Sequence, residues 1–207
     1  MNAILRTLLL APLVLTVACQ SMPDQREVES PWTEAFVAPA LISTSRMRLV
    51  PLEPSLNALD FLAAQNSIEH LRTTLQWGSW PSPEATREDN EGDLARHWKE
   101  FQNQEAYAYS VLAPEGAPCI GCVYLNPDQG DPRGLRMAYW VVESELENDL
   151  DVHVVDTVLD MIAETWPVDV VTIGHPEQNP RGIEILEQRG LVRASDDPNV
   201  HVFQWKR

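Results

Sequence analysis

The sequence is short of basic residues. It has 15 Lys and Arg against 31 Asp and Glu, which gives a formal net charge of −16 at pH 7. Nucleic acids and anionic membrane surfaces are bound through basic patches, so this balance argues against both as partners. An acidic surface is compatible with a cationic partner, although most acidic surfaces are only solvated.

Cysteine is also scarce, with 3 in the chain. Cys119 and Cys122 form a CxxC pair inside an apolar, strand-like run, and no second CxxC supplies the other half of a zinc site. Residues three apart on a regular strand point to opposite faces, about 10 Å apart, so a disulfide would need a bend at Gly121. We therefore expect two small buried residues in preference to redox chemistry, and we predict no metal site.

No apolar run is long enough to span a bilayer comfortably. The longest, residues 8–18, follows Arg6 and stops at Cys19. This segment resembles a bacterial lipoprotein signal, which predicts a signal peptide over 1–18, a lipid anchor at Cys19 and export to the cell envelope, on its periplasmic side. Simple cleavage, an uncleaved anchor and an N-terminal core helix are the alternatives.

Residues 19–43 are predicted to be a linker, because prolines interrupt them and no apolar period is sustained. Regular patterns begin at residue 44 and continue to residue 207, which predicts one domain. The predicted elements are strand 45–52, helices starting near 54 and 68, helix 86–104, strands 106–112, 119–125 and 136–142, helix 152–164, strand 168–173, helix 180–189 and strand 199–205.

This order, β-α-α-β-β-β-α-β-α-β, predicts an α/β fold of the mixed α+β kind. The three central strands are joined by short connections and should be antiparallel. The crossover through helix 152–164 should bring strand 168–173 parallel to strand 136–142. We therefore expect a central mixed, mostly antiparallel sheet flanked by helices.

The element order and three local motifs over 44–207 resemble the GNAT (GCN5-related N-acetyltransferase) superfamily. Ile120-Gly121 resembles its third strand and Tyr139-Trp-Val-Val142 its fourth. The run Asn179, Ile183 and Glu187-Gln-Arg-Gly-Leu191 resembles its closing segment. The resemblance implies acetyl-CoA as cofactor and acyl transfer to an amine. It also implies two sets of cofactor contacts. One lies along the strand whose backbone pairs with the pantetheine arm, at Tyr139, Trp140, Val141 and Val142, and the other is Asn179 at the start of the closing segment.

The loop after this strand lacks glycine, lysine and arginine. Residues 143–151 carry five acids where the family binds pyrophosphate, and the resemblance places the phosphate motif on 147–152, with Leu150 in a glycine position. Two like charges about 5 Å apart repel by roughly 3 kcal/mol at an effective dielectric near 20. The loop therefore predicts a degenerate CoA site, and the alternative function is a non-catalytic exported lipoprotein that acts as a binding module.

The resemblance also locates the reacting groups. Leu186 holds the place of the family's proton-donating tyrosine, and Tyr139 or Tyr124 is a substitute or a packing aromatic. Glu143 and His175 follow strands that end at the cleft, so each is a candidate general base or a plain exposed residue. Two tryptophans wall the predicted acceptor site or cap the core: Trp77 and Trp80. The helical His97 and His153 are given no role.

Overall fold

One β-sheet with helices on both faces forms the fold. The computed structural model describes residue 32, residues 36–195 and residues 199–207. Within these residues the strands are β1 (Ile42–Ser43), β2 (Arg48–Pro51), β3 (Tyr107–Leu112), β4 (Cys119–Pro127), β5 (Gly134–Val141), β6 (Val170–Pro176), β7 (Val192–Arg193) and β8 (Val200–Lys206). The helices are α1 (Asn57–Gln65), α2 (Ile68–Leu75), α3 (Arg87–Gln102), α4 (Leu150–Thr165) and α5 (Pro180–Gln188), with 3-10 turns at Pro54–Leu56 and Glu143–Asn148.

The strands lie in the order β1-β2-β3-β4-β5-β6-β8-β7. All neighbours are antiparallel except β5 and β6, which the crossover through α4 makes parallel. The prediction of a mixed, mostly antiparallel sheet flanked by helices is confirmed. The three helices predicted before strand 106–112 correspond to α1, α2 and α3. The structure adds the edge strands β1 and β7, whose two residues each are too few to show an alternating pattern.

Strand β3 shows that both faces of the sheet are covered. All six of its residues are buried. Tyr107 and Tyr109 face the cluster that contains α4, while Ala108 and Leu112 face the cluster that contains α1, α2 and α3. A strand buried on both sides is apolar along most of its length, and β3 departs from this at Ser110. Its sequence is therefore compatible with helices packed on both faces of the sheet.

The folded region includes part of the predicted linker. Trp32 is 5% exposed, and its ring lies edge-on to Tyr107 at 4.9 Å and to Trp166 at 5.6 Å between centroids. Phe36 joins the same cluster. The prediction of a linker over 19–43 therefore does not hold at these aromatic residues, because isolated buried rings without periodic spacing give no helix or strand pattern.

The predicted signal peptide over 1–18 and the predicted lipidation at Cys19 fall outside the described residues. In the part of the chain that the structure describes, none of the helices has the length and apolar character needed to cross a membrane. The lipid anchor and the exported location therefore stay predictions.

Strand β4 carries a bulge that redirects its first cysteine. The register with β3 shifts between Val111 and Leu112, so that Gly121 lies opposite Val111 and Cys119 lies opposite Leu112. One residue of β4 is therefore extra, and Cys119 and Cys122 both point into the cluster that contains α1. The expectation that they point to opposite faces is wrong, because it assumed an uninterrupted period of two.

Candidate active site

Strands β5 and β6 separate part-way along their length. Parallel pairing runs from Gly134 opposite Val170 to Met137 opposite Ile173, and within the described residues it extends no further. Residues 138–141 of β5 remain paired with β4 on one side, and their other edge faces a cleft. A cavity of about 200 Å³ opens in this cleft between α2, β5, β6 and the start of α5. Its lining includes the predicted site residues Tyr139, Trp140, Val141, His175 and Asn179.

His175 lies on β6 at this cleft and is buried, at 3% exposure. Its ring stands edge-on to Tyr139, with 5.4 Å between centroids. Nδ1 lies 3.1 Å from Nδ2 of Asn179, and the buried Nε2 has no hydrogen-bond partner within the described part of the chain. Burial lowers the pKa of His175 to about 4, so the ring is neutral at pH 7. His175 is therefore not the plain exposed residue that the sequence left open.

Asn179 caps the first turn of α5, with Pro180 following it. Its Oδ1 accepts a hydrogen bond from the backbone N–H of Gly182 at 2.9 Å. A Cβ at Gly182 would lie 2.7 Å from Nδ2 of Asn179 and 2.8 Å from the ring of His175. The missing side chain at Gly182 therefore gives room for the Asn179–His175 contact, which fixes the imidazole at the cleft.

The acidic loop folds as the 3-10 turn Glu143–Asn148 and ends at Asp149, whose φ of 52° is left-handed. Glycine is the residue that adopts such a backbone conformation without strain. The glycine position of a phosphate-binding motif therefore corresponds to Asp149, and the motif to residues 146–151. The predicted register, 147–152, is one residue late, because Leu150 already belongs to α4 and is buried in the core.

Arg181 balances part of the acidic loop from the first turn of α5. Its Nε donates to Oδ2 of Asp151 at 2.6 Å, and its Nη2 donates to Oδ1 of Asp151 at 2.8 Å and to Oδ1 of Asp149 at 2.9 Å. Nη2 also donates to the carbonyl of Leu146 at 3.1 Å. Hydrogen bonds to these two carboxylates raise the pKa of Arg181 above its usual value. The loop itself lacks lysine and arginine, and the positive charge that offsets it comes from α5.

These contacts occupy the N-terminus of α4, where helices bind phosphates through free N–H groups and the helix dipole. Asp151 is buried there, and its Oδ1 accepts a hydrogen bond from the N–H of Val152 at 2.9 Å. The protein's own carboxylate thus takes an N–H group that a phosphate oxygen would take. A phosphate ligand would have to displace this contact and draw Arg181 away from its partners.

Glu143 and Val142 lie in a different cavity from His175. They line a space of about 410 Å³ beside α1, which Cys119 also reaches. The backbone N–H of Val142 donates to the carbonyl of Ile120 in β4 at 3.0 Å, so it is not available to a ligand in the cleft. The structure therefore does not bring the two predicted bases together, because the chain turns toward α1 as soon as β5 ends.

Trp77 and Trp80 wall a third cavity, of about 380 Å³. Their rings lie 5.6 Å apart, and Trp77 stands edge-on to Tyr124 at 5.6 Å. Trp80 also lies 6.0 Å from Trp140, which belongs to the core. The sequence left two alternatives for these tryptophans, a cavity wall and a cover for the core. The structure shows both, since the rings cover core side chains and also line an open cavity.

Sequence reasoning missed four polar residues of this aromatic cavity: Asp93, Arg96, His97 and Asn126. His97 was given no role because it lies inside a helix, yet its ring packs against Tyr124 at 5.4 Å and is largely buried. Burial, and next the charge of Arg96, lower the pKa of His97. The spacing of four residues between Asp93 and His97 places them on one helix face, and this was the signal available in the sequence.

Two tyrosines remain as proton donors, since Leu186 is fully buried in the core. Tyr139 lines the cleft, and Tyr124 lines the aromatic cavity. The hydroxyl of Tyr124 accepts a hydrogen bond from Nε1 of Trp140 at 3.3 Å. Burial raises the pKa of both phenols, so each keeps its proton at neutral pH. Both tyrosines therefore combine core packing with a hydroxyl at a cavity.

Known proteins place this geometry in a family. The family model described as an acetyltransferase (GNAT) domain matches residues 46–192. No curated protein matches the sequence significantly.

Solved structures share the fold at low identity. The ribosomal L7/L12 alpha-N-protein acetyltransferase RimL, solved in complex with coenzyme A, is 14% identical with a TM-score of 0.68, over 80% of this chain and 97% of that one. An acetyl transferase from Salmonella typhimurium that modifies the N-terminal serine of the same ribosomal protein is 11% identical with a TM-score of 0.66, over 81% and 99%. The microcin C7 self-immunity acetyltransferase MccE, in complex with acetyl-CoA and AMP, is 12% identical with a TM-score of 0.67, over 83% and 98%.

Proposed function

The chain belongs to the GNAT acetyltransferase family, and from this premise we propose that it transfers an acetyl group from acetyl-CoA to a primary amine. The amine nitrogen attacks the thioester carbonyl, the C–S bond breaks, and the proton lost by the amine ends on the CoA sulfur. The amine class is supported by the fold relatives named for acetylating protein N-termini, RimL and the Salmonella typhimurium acetyl transferase.

The interrupted pairing of β5 and β6 is the observation that carries this proposal. Beyond Met137 and Ile173 the two strands diverge, and the edge of residues 138–141 meets a cavity in place of a strand. A strand edge offers N–H and C=O groups at regular intervals, which an amide-containing chain such as pantetheine can pair with. The cleft therefore has the shape and the hydrogen-bonding groups that the arm of CoA requires.

The aromatic cavity supplies the acceptor side. Trp77, Trp80 and Tyr124 present ring faces and edges, and Asp93 adds a carboxylate. The rings attract a cationic amine before it loses its proton, while Arg96, which lines the same cavity, pairs with Asp93 and balances part of its charge. Trp140 lies between the two cavities, since it lines the cleft and also packs on Trp80. Because Trp140 separates the two cavities, transfer requires the amine to pass its ring and reach the thioester carbonyl in the cleft.

We assign the general base to His97 in place of Glu143. His97 is neutral at pH 7 because burial and Arg96 lower its pKa. Its Nδ1 lies 3.2 Å from Oε2 of Glu100 and its Nε2 lies 3.0 Å from Nη2 of Arg96, so the amine must displace Arg96 before the lone pair of Nε2 can accept its proton. Glu143 lies in neither the cleft nor the aromatic cavity. The neutral His175 lies at the thioester side and is suited to orient the substrate through its unpaired Nε2.

The test is a calorimetric titration with acetyl-CoA, followed by a transfer assay with radiolabelled acetyl-CoA and a peptide that has a free N-terminal amine. We expect saturable binding and label on the peptide. His97→Gln should lower kcat by about 100-fold while the Kd for acetyl-CoA changes little. His153→Gln is the matched control, because His153 bonds to Thr44 outside both cavities. Absence of binding at millimolar acetyl-CoA would overturn the proposal.

The ion pairs of Arg181 favour a second candidate, a non-catalytic binding module. They fill the phosphate end of the cleft with the protein's own charges. This candidate predicts that acetyl-CoA fails to bind, or binds without transfer, even though the protein is fully folded by circular dichroism. Transfer by the wild-type protein, with loss in His97→Gln, rejects it.

A further inference from the structure

A cluster of three metal-ligating side chains lies under α1, away from the cleft. Asp60 comes from α1, and Cys119 and Cys122 come from the bulged end of β4. A carboxylate oxygen and the two sulfur atoms all lie within 4.8 Å of one another, and all three residues are buried. Two thiols and a carboxylate on separate elements converge here only because the bulge turns Cys119 to the face of Cys122.

The carboxylate of Asp60 is buried without a basic partner among the described residues. Its Oδ1 accepts from Sγ of Cys122 at 3.2 Å, and its Oδ2 accepts from Nδ2 of Asn90 at 3.0 Å. Both donors are neutral. A buried carboxylate is expensive unless a cation or several hydrogen bonds compensate its charge. Within the described residues, these two neutral donors are the hydrogen-bond partners that the side chain of Asp60 has.

A second buried polar group points at the same place. Ser110 lies directly opposite Cys122 in the ladder of β3 and β4, so the two side chains share one face of the sheet. Ser110 is fully buried, and its Oγ has no hydrogen-bond partner within the described part of the chain. Buried hydroxyl groups are nearly always satisfied, so an orphan hydroxyl opposite Cys122 indicates a missing partner.

We propose that Asp60, Cys119 and Cys122 bind one thiophilic divalent cation of the zinc type, with the hydroxyl of Ser110 as fourth ligand. Two S–H bonds break, two sulfur–metal bonds form, and the two thiol protons leave to solvent. Zn–S bonds of about 2.3 Å set tetrahedral ligand atoms about 3.8 Å apart, which a small contraction of the cluster achieves. A disulfide needs a far larger contraction, to an S–S distance of about 2 Å.

The site has an entry path and a structural consequence. The cavity of about 410 Å³ beside α1 reaches Cys119 from the surface. A bound ion would join α1, through Asp60, to the strand β4 that pairs with β5. The metal would thus hold the helix against the strand pair that forms one wall of the cleft, without touching the acetyl-transfer groups.

The experiment uses the whole chain, reduced and freed of metal by chelation, then titrated with Zn²⁺ and separately with Co²⁺. We expect one Zn²⁺ retained per chain after dialysis, and a thiolate-to-metal charge-transfer band with Co²⁺. Cys122→Ser and Asp60→Asn should weaken Zn²⁺ binding by at least about tenfold. Cys19→Ser is the matched control, since it removes the third cysteine and should retain full binding. Zn²⁺ should also raise the Tm of the wild type and not that of Cys122→Ser.

The outcomes separate cleanly. Equal Zn²⁺ binding by Cys19→Ser and by the double variant Cys119→Ala/Cys122→Ala would place the metal elsewhere and overturn the proposal. Alanine keeps these buried positions apolar. A comparison of the double variant with Cys122→Ser therefore shows if the serine hydroxyl itself disturbs folding. No retained metal, with a loss of two hydrogen atoms per chain by mass spectrometry on exposure to air, would mean that the pair forms a disulfide and that the proposal is wrong.

Discussion

At the scale of single residues, Arg181 decides what the acidic loop can do. Its side chain is 41% exposed, while that of its partner Asp151 is only 7% exposed. Exposed ion pairs contribute little to stability, but a buried carboxylate that loses its partner is strongly unfavourable. The main effect of Arg181 is therefore to compensate the negative charge of the buried Asp151. Asp149 is an additional acceptor for Arg181 at the surface.

Removing both carboxylates should make Arg181 available to a phosphate. We expect Asp149→Gly/Asp151→Ala to bind acetyl-CoA about tenfold more tightly than wild type, or about 1.4 kcal/mol, because the guanidinium and the N–H of Val152 lose their internal acceptors. Isothermal calorimetry measures the change.

The matched control for this variant is Glu143→Gln/Glu147→Gln. It removes two negative charges from the same loop, and neither residue is a partner of Arg181 in the ion pairs of the described residues. An equal gain in affinity for both variants would show that net charge, and not the release of Arg181, controls binding.

His175 should make stability depend on pH in a defined direction. Its folded-state pKa of about 4 lies below the unfolded value near 6.5, so above pH 6.5 both states are neutral and stability is complete. As pH falls toward 4 the unfolded state takes up the proton first, and up to about 3 kcal/mol of stability is lost. Urea unfolding between pH 7 and pH 4 measures this loss as the difference between wild type and His175→Gln. If the free energy of unfolding changed equally with pH in the wild type and in His175→Gln, the lowered pKa of His175 would be refuted.

The sequence located several site residues but not their partners. The family resemblance implied Tyr139 as a cofactor contact and a strand end placed His175 at the cleft, and the structure brings the two rings into contact. Glu143 was placed by the same rule and lies elsewhere, because strand position does not reveal which way the chain turns after the strand. Arg181 was missed because a charge 30 positions from Asp151 is recognised only once α4 and α5 are packed side by side.

At the scale of elements, Gly121 marks the closest approach in the sheet. A Cβ at this position would lie 2.2 Å from the carbonyl oxygen of Trp140 and 3.1 Å from the Cα of Val141. Both atoms belong to the backbone of β5 and cannot rotate away. Glycine is therefore required here by the spacing of β4 and β5, next to the bulge that directs Cys119 inward.

Gly121→Ala should destabilise the protein by about 3 kcal/mol or more, because the two strands must separate to admit the methyl group. Gly92→Ala is the matched control: this glycine lies within α3, and a Cβ there meets nothing within 4 Å. We expect the control to stabilise the protein by about 0.5–1 kcal/mol through helix propensity. Chemical denaturation measures both, and a cost at Gly121 no larger than about 1 kcal/mol would contradict the close approach.

Long periodic elements were predictable, and local irregularities were not. The apolar residues of α4 recur at helical spacing, and that helix was predicted within two residues at each end. The bulge in β4 leaves no trace in an apolar run such as Cys119–Leu125, because every residue there is buried except the half-exposed Tyr124. The cluster of Asp60, Cys119 and Cys122 could not be predicted either, because it depends on this bulge.

At the scale of the whole molecule, the segment before β1 is fastened to the far end of α4. Trp32 and Phe36 pack on Trp166, which directly follows that helix. Few residues then separate Cys19 from the folded domain. If Cys19 is lipidated, the domain is held close to the membrane with its aromatic cluster on the tethered side.

Lipidation at Cys19 has a direct test. Radiolabelled palmitate should enter the wild type when it is expressed in bacteria, and Cys19→Ala should remain unlabelled, because the modification requires the thiol. After cell fractionation, the wild type should be in the membrane pellet and Cys19→Ala should be absent from it. Label in both proteins would remove the lipoprotein prediction, and a cytosolic, unlabelled wild type would at the same time place the chain in the compartment that contains acetyl-CoA.

The divergence of β5 from β6 also bears on solubility. A strand edge left unpaired in open solvent is a template for pairing with other chains, and proteins protect such edges by covering them. Here the unpaired part of β5 lies inside the sheet and under α2, whose His70, Thr74 and Leu75 line the same cavity. An extended peptide from a neighbouring molecule therefore cannot reach it side-on, as it can reach an outer strand. The fold thus leaves the backbone groups of residues 139–141 beside a cavity while α2 protects them from pairing with another chain.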